Sequence, residues 1–372
     1  MIYVHIPFCR NKCFYCGFYS TVSPALKEAF LAALVQEMDI RKNYLGTKAM
    51  KTLYFGGGTP SLLGSNEIEI IVRKLEDSYT ISPTAERTIE MNPEDISREK
   101  LQILRANGFN RLSIGVQSFD DSLLKKINRK HSAEQASQAV RIAAEMGFEN
   151  IGIDLIIGLP GYTMEDMEKD VQQALSLPIS HISTYILSID PGSVFEKHLA
   201  KGMIRENKDV DTAAVYLRCS ELLKMNGFEH YEISNFARDG KYSRHNSGYW
   251  QQEEYIGFGP SAHSFDKHSR QWNVANTSVY INALDNGELY FEKEELSDVD
   301  RYNEYIMTSL RTQWGADIDQ LNTQYATYWQ GFENKLISYI DREYVRIVGN
   351  KLIMTEKGWL ISDDIFSDLF VV

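Results

Sequence analysis

Through the first 236 residues, short apolar runs alternate with stretches whose apolar residues recur at helical spacing. Residues 2–6, 52–55, 87–91, 111–116, 151–157, 181–187 and 229–233 are predicted strands. Residues 66–77, 133–146, 164–175 and 211–225 are predicted helices, as is the stretch that Ser97 caps and Gly108 stops. A first helix opens at Ser23-Pro24, a cap followed by proline at the first helical position. Its face carries Leu26, Phe30, Leu31, Leu34, Val35 and Met38. Six strand-then-helix units in succession imply the α/β class with a parallel sheet. Regular crossovers let such a sheet curl, so the expectation is a partial (β/α)6 barrel. Barrel chemistry sits in the loops after the strands, and the unusual residues fall there. Cysteines follow the first strand, Gly56-Gly57-Gly58-Thr59-Pro60 the second, Glu90-Met91-Asn92-Pro93 the third and Gln117-Ser118 the fourth.

After about Phe236 the pattern changes. Residues 237–290 are rich in Gly, Asn, Ser, Tyr and Trp and show little helical periodicity. From Ser297 the chain is helical again over 299–310 and 332–340. A hairpin follows at 344–347 and 351–354 around Gly349-Asn350, then a last helix over 357–370. Helices followed by a hairpin read as a winged-helix-like module. The expected organisation is a barrel domain over 1–236, a connecting segment over 237–296 and a C-terminal helical module over 297–372.

Charge narrows the partners. The 372 residues carry 39 Lys+Arg against 51 Asp+Glu, a formal net of −12. An acidic surface repels a phosphate backbone, so no nucleic-acid partner is expected. Residues 297–372 hold 7 Lys+Arg and 12 Asp+Glu, a net of −5, so the winged-helix look does not imply DNA binding. No apolar run approaches the roughly 18 residues that span a bilayer. The first residues lack a basic segment leading into an apolar stretch, so the expected location is cytoplasmic.

Of four cysteines, Cys9, Cys13 and Cys16 fall within one short loop and Cys219 lies far away. That is a metal or redox site rather than a disulfide framework. Three soft ligands from one face suit an iron–sulfur cluster or zinc. Structural zinc wants four protein ligands, and His5 would be the fourth in a Cys3His site. A 4Fe–4S cluster on three cysteines instead leaves one iron open to a small ligand. Cys219 shares a helical face with Val215 and Leu222 and reads as a core thiol.

Cys9-x-x-x-Cys13-x-x-Cys16, with aromatic Tyr15 before the last cysteine, resembles the radical S-adenosylmethionine (SAM) superfamily. The resemblance implies that the cysteines hold a 4Fe–4S cluster whose open iron chelates SAM. An electron entering the sulfonium would break its C–S bond and give methionine and a 5′-deoxyadenosyl radical. The family fold is a full or partial βα barrel, in keeping with the alternation above. The glycine loop, here Gly57, Gly58 and Thr59, would receive the amino group of SAM. Tyr3, Tyr15, Glu90, Gln117, Arg129 and Asp154 match SAM-contacting positions of the coproporphyrinogen-dehydrogenase-like branch. The strings Arg111-x-Ser113-x-Gly115-x-Gln117-Ser118-Phe119 and Asp154-Leu155-Ile156-x-Gly158-Leu159-Pro160-Gly161 match as well. Asp154 lies inside an apolar strand, where an unpaired carboxylate is costly, so a partner is expected for it.

Two subgroups of that branch compete: oxygen-independent coproporphyrinogen III dehydrogenases and heme chaperones of the HemW type. The dehydrogenase motif continues to a fourth cysteine two residues past the third, where this chain has Phe18. His245-Asn246-Ser247-Gly248-Tyr249-Trp250 matches the HNxxYW string of the chaperones. The resemblance implies heme as a third cofactor, with His245 as axial ligand and Tyr249 and Trp250 against the ring. Arg244 would pair with a propionate, and His263 is the second candidate ligand. Implied partners are a heme-acceptor protein such as a respiratory enzyme, with peripheral membrane contact, and a flavodoxin or ferredoxin electron donor.

Overall fold

A computed structural model describes residues 1–46 and 49–372. Six parallel strands stand side by side in chain order: β1 (Ile2–Ile6), β2 (Met50–Gly57), β3 (Ile81–Met91), β4 (Arg111–Gln117), β5 (Asn150–Ile157) and β6 (His181–Ile186). Their crossovers carry α1 (Lys27–Ile40), α2 (Ser65–Ser78), α3 (Arg98–Ala106), α4 (Asp121–Lys126), α5 (Ala133–Glu145) and α6 (Met164–Leu175). After β6 come α7 (Val194–Ala200) and α8 (Asp209–Met225). One row of each strand is apolar and buried beneath the helices, as with Val4, Phe55, Ile89, Ile114 and Ile153. The opposite row is polar: Tyr3, Thr52, Tyr54, Glu86, Glu90, Arg111, Ser113, Asp154, His181 and Ser183. Strand alternation puts this row on the concave side.

Local signals set several boundaries. The Ser97 side chain caps α3 by accepting from Lys100 N, and Gly108 follows at φ +79°. Ser23 makes no cap bond; residues Pro24–Leu26 form a 3-10 turn and α1 starts at Lys27. The predicted strand at 229–233 does not continue the parallel series. β7 (Glu229–Glu232) and β8 (Asn235–Ala237) form an antiparallel hairpin, and β8 pairs antiparallel with β6. Two residues separate them, far too few for a parallel crossover.

Residues 237–296 hold more structure than their pattern suggests. Helix α9 (Arg244–Trp250) is followed by β9 (Ile256–Phe258), which joins the main sheet parallel to β1. The full order is β7-β8-β6-β5-β4-β3-β2-β1-β9. A second sheet comprises β10 (His263–Phe265), β11 (Ser269–Asn273) and β12 (Phe291–Glu295), with α10 (Thr277–Asp285) between the last two. The rest of the chain builds a separate core around Tyr302, Ile306, Leu321, Leu352 and Ile365. It contains α11 (Asp298–Leu310), β13 (Ala316–Asp317), α12 (Ile318–Thr323), α13 (Ala326–Trp329) and α14 (Glu333–Asp341). The hairpin β14 (Val345–Val348) and β15 (Lys351–Met354) pairs with β13, and α15 (Glu356–Trp359) and α16 (Ser362–Leu369) close the module.

One buried carboxylate ties the 237–296 segment to the first crossover helix. Glu37 of α1, fully buried, accepts from Arg41 Nη1 (2.9 Å), Gly259 N (2.8 Å), Asn273 Nδ2 (2.7 Å) and Tyr280 OH (2.6 Å). Arg41 in turn donates to Gly257 O and Ser264 Oγ. Glu37→Ala strands a buried guanidinium and three other donors, so it should cost about 3–5 kcal/mol in urea unfolding. A loss under about 1 kcal/mol, the size of a surface pair, would contradict that account.

Candidate functional site

The three clustered cysteines sit in a loop pinned on both sides. Cys9 N donates to Thr21 O (2.9 Å) and Thr21 N to Pro7 O (2.7 Å). Phe14 N donates to Ile127 O (3.2 Å), and Phe14 O accepts from Phe195 N (2.9 Å). Asn11 Nδ2 donates to Asn128 O, and Asn128 Nδ2 returns a bond to Lys12 O. The loop is therefore held by the segments after β4 and β6, at the C-terminal ends of the strands. Cys9, Cys13 and Cys16 line one cavity of about 360 Å³. Thr59 Oγ1 donates to Cys9 Sγ (3.4 Å), and Arg129 Nη1 to Cys13 Sγ (3.6 Å). A Cβ at Gly58 would stand 3.1 Å from Cys9 Sγ and 2.8 Å from Phe8 O, so only glycine lets the β2 loop approach so closely.

Tyr15, Gly57, Gly58, Thr59, Glu90, Gln117, Arg129 and Asp154 line the same cavity. Glu90 accepts from Tyr54 OH (2.8 Å) and Gly57 N (3.2 Å). Burial, reinforced by the Asp154 charge and opposed by these bonds, pushes its carboxyl up to about 7. Asp154 has its expected partners in Ser113 Oγ (3.3 Å) and Ser183, with Arg111 supplying a positive charge nearby; burial still raises its pKa. Arg129 also donates to Asn92 Oδ1 (2.8 Å), while its buried Nε has no protein partner. Gln117 adopts φ +72°, a strained conformation for a non-glycine residue, at the end of β4. A Cβ at Gly115 would stand 2.9 Å from Gln117 Nε2 and 3.2 Å from Arg129 Nη2.

The opposite mouth of the barrel is closed by α9. Glu86 accepts from the backbone N of Arg244 (3.1 Å) and His245 (3.0 Å). The His245 ring is 1% exposed; Nδ1 bonds Thr52 Oγ1 (2.7 Å) and Nε2 bonds Tyr249 OH (2.8 Å). It stacks on Tyr54 at 4.9 Å. Burial holds its pKa well below the usual imidazole range. Tyr231 on β7 accepts from Ser243 N (3.3 Å), the N-cap of the same helix, so α9 joins the β7 edge of the sheet to β2 and β3. Trp250 lies under the Arg311 guanidinium at 3.7 Å, and Arg311 pairs with Glu232 (3.2 Å).

Residues 3–174 match the family model described as the radical SAM superfamily. The chain is 35% identical to the heme chaperone HemW of Bacillus subtilis, over 98% of this chain and 97% of that protein. It is 30% identical to HemW of Mycobacterium tuberculosis, over 99% of this chain and 94% of that one. This chain belongs to the HemW family of radical SAM proteins. Its fold matches the solved structure of the Escherichia coli radical SAM enzyme coproporphyrinogen III oxidase, HemN, with a TM-score of 0.85 at 25% identity. That match covers 100% of this chain and 89% of the enzyme. Family membership implies a 4Fe–4S cluster and SAM as cofactors, and the residues present fit both. Three thiols line one glycine-bearing cavity that also carries buried carboxylates and an arginine with an unpartnered Nε. His5 is turned away, toward Tyr3 OH (3.2 Å) and Tyr19 O (3.0 Å), so the Cys3His zinc site lacks its fourth ligand. Among the described residues, no three His, Cys, Asp or Glu side chains are grouped to hold a single metal ion.

In this HemW-family chain the HNxxYW residues are packed within the barrel floor. Both His245 nitrogens are engaged inside the barrel, Tyr249 holds the ring from below and Trp250 is covered by Arg311. Arg244 donates to Thr84 O (2.9 Å). The string is buried because its small residues allow α9 to seat deeply; a Cβ at Gly248 would overlap the Met1 side chain. Tyr3 is not among the residues that line the cavity. It stacks near Tyr54 at 6.1 Å, a layer below the cavity lining. Tyr54, by contrast, carries no signal in the sequence and Arg111 enters there only within a matched string, although both are inward positions of strands that carry named residues. Arg111 is 1% exposed and supplies positive charge to Glu90 and Asp154.

Glu90 provides a direct check on this geometry. With glutamate carboxyls labelled in 13C, one resonance should titrate at about 7 and vanish in Glu90→Gln. A protein whose glutamates all titrate near the ordinary value of about 4.3 would contradict the buried Tyr54–Glu90 arrangement.

Proposed function

We propose that this chain is a heme chaperone, which binds heme and passes it to an acceptor protein while carrying a 4Fe–4S cluster and SAM. The observation that carries the reading is its kinship, at 35% identity over 98% of its length, with a protein curated as a heme chaperone. Cys9, Cys13 and Cys16 hold the cluster in this reading. Gly57, Gly58, Thr59 and Glu90 take the SAM ammonium, and Gln117, Arg129 and Asp154 contact the remainder of SAM. When bound, the cluster supplies an electron to SAM. The chain's own contribution is to place carboxylates and backbone amides around the ligand and to seal the barrel against water from below. An acidic flavodoxin or ferredoxin would meet the exposed Lys12 and Lys130, which line the cysteine cavity, and Lys125 and Lys126, next to the Ile127 carbonyl that pins the loop. Among the described residues no helix is long and apolar enough to cross a membrane, and the proposed location is cytoplasmic, with membrane contact made through a respiratory acceptor.

Heme needs an accessible ligand. Of eight histidines only His263 and His268 are exposed. The His263 ring stacks on Trp272 at 5.9 Å, directly across the β10–β11 pair. Tyr290, 61% exposed, stands two positions before Glu292, the residue opposite Trp272, and strand alternation puts it on the same face. An imidazole beside one exposed and one half-buried aromatic ring suits a porphyrin plane. Heme is therefore placed on this small sheet rather than on α9.

Anaerobic reconstitution should give brown protein with about four irons per chain, lost in Cys13→Ala. Colourless protein with one tightly bound zinc would defeat the cluster assignment. The reconstituted protein should bind about one heme per chain. His263→Ala should shift the Soret band, Cys13→Ala should keep heme, and no heme binding by wild type would end the chaperone reading. Phe18 stands where the dehydrogenases have a cysteine, so coproporphyrinogen III with SAM and a reductant should yield no protoporphyrinogen IX; sustained turnover would favour the dehydrogenase instead.

SAM affinity should also depend on pH through Glu90. The SAM ammonium needs the carboxylate, so affinity should rise with pH and plateau above about 7. Below that it should weaken by up to about tenfold per pH unit, a dependence absent in Glu90→Gln.

A further inference from the structure

A continuous line of contacts joins the barrel floor to the cavity above it. The His245 ring is held at both nitrogens, by Thr52 and Tyr249, and lies flat against Tyr54 at 4.9 Å and 29°. Tyr54 then donates to Glu90 Oε1 at 2.8 Å. There is no slack above Tyr54. A Cβ on Gly56 would fall 2.9 Å from both Glu90 Oε1 and Tyr54 Cε1, and 3.0 Å from Tyr3 Cε2. Glu90 has one other donor, Gly57 N, at a longer 3.2 Å. The floor is fixed in its turn by Glu86, which accepts the first two backbone amides of α9, and by Arg311, which covers Trp250.

We propose that His245 is a positioning residue for Glu90, acting through Tyr54, so that α9 sets where the carboxylate stands beneath SAM. The inference rests on the reading that Glu90 faces SAM. Removing the imidazole opens a space under Tyr54 into which the phenol can drop. Its hydroxyl then leaves Glu90, whose carboxylate is held only by Gly57 N and can swing. A small displacement of a ligand-facing group is enough to weaken binding, because the rest of the site is preorganised around it. The role needs an uncharged imidazole that stays put, which is how the ring sits: wholly enclosed and hydrogen-bonded on both edges.

The test is a double-mutant cycle on the full-length, anaerobically reconstituted chain, with SAM binding measured by equilibrium dialysis. Tyr54→Phe removes the bond to Glu90, and His245→Asn removes the support under it. Each should raise the SAM Kd about three- to tenfold, and the double variant should bind no worse than Tyr54→Phe alone. Iron content and heme stoichiometry should not change. A purely structural role for His245 would make the two effects additive, and an unchanged Kd in His245→Asn would remove the role; either result overturns the proposal. Should His245→Asn fail to fold, Tyr249→Phe, which deletes only the hydroxyl on Nε2, carries the same cycle. Glu90→Gln separates the two levels. If it leaves SAM affinity unchanged, the SAM reading fails and the inference with it. If it weakens SAM while His245→Asn does not, only the inference fails.

Discussion

A barrel whose inner row carries Glu86, Glu90, Arg111 and Asp154 has to satisfy charge where water is scarce. Nearly everything else in the molecule follows from that. Glu86 is consumed at the floor by two amides of α9, and Asp154 is shared by two serine hydroxyls. Arg111 offsets the carboxylates from the middle of the barrel. Glu90 is the exception. Two neutral donors leave its carboxyl balanced near neutrality, and a group so balanced responds strongly to a cation placed beside it.

The cysteine loop answers a different need. A loop that presents three thiols cannot rely on its own hydrogen bonds, so it borrows them from β1, from the segment after α4 and from the start of α7. The glycines on β2 then let the neighbouring backbone close to contact distance. Rigidity is thus imported from the scaffold, and the site residues are spared to face the cavity.

The parallel strands, their crossovers and the residues at their C-terminal ends were legible because each follows from a strong local signal. Apolar runs mark buried strands, glycines mark turns and clustered thiols mark a ligand. The segment 237–296 was not legible. Its strands β9 and β10 are three residues long, too short for alternation to register, and β9 is held by β1, more than 250 residues away in the chain. The same distance hides the burial of His245. A histidine followed by tyrosine and tryptophan looks alike on a surface and in a plug, and only the partners Thr52, Tyr54 and Arg311 distinguish the two.

The pairing of β1 with β9 has a consequence for the birth of the protein. β1 leaves the ribosome about 250 residues ahead of β9, so its outer edge stays unpaired until Phe258 emerges. At about 5–20 residues per second that interval is roughly 12–50 s. Throughout it an apolar edge strand, followed directly by three free thiols, is open to any passing strand or oxidant. The nascent chain therefore carries its most reactive segment beside its stickiest one until β9 has followed.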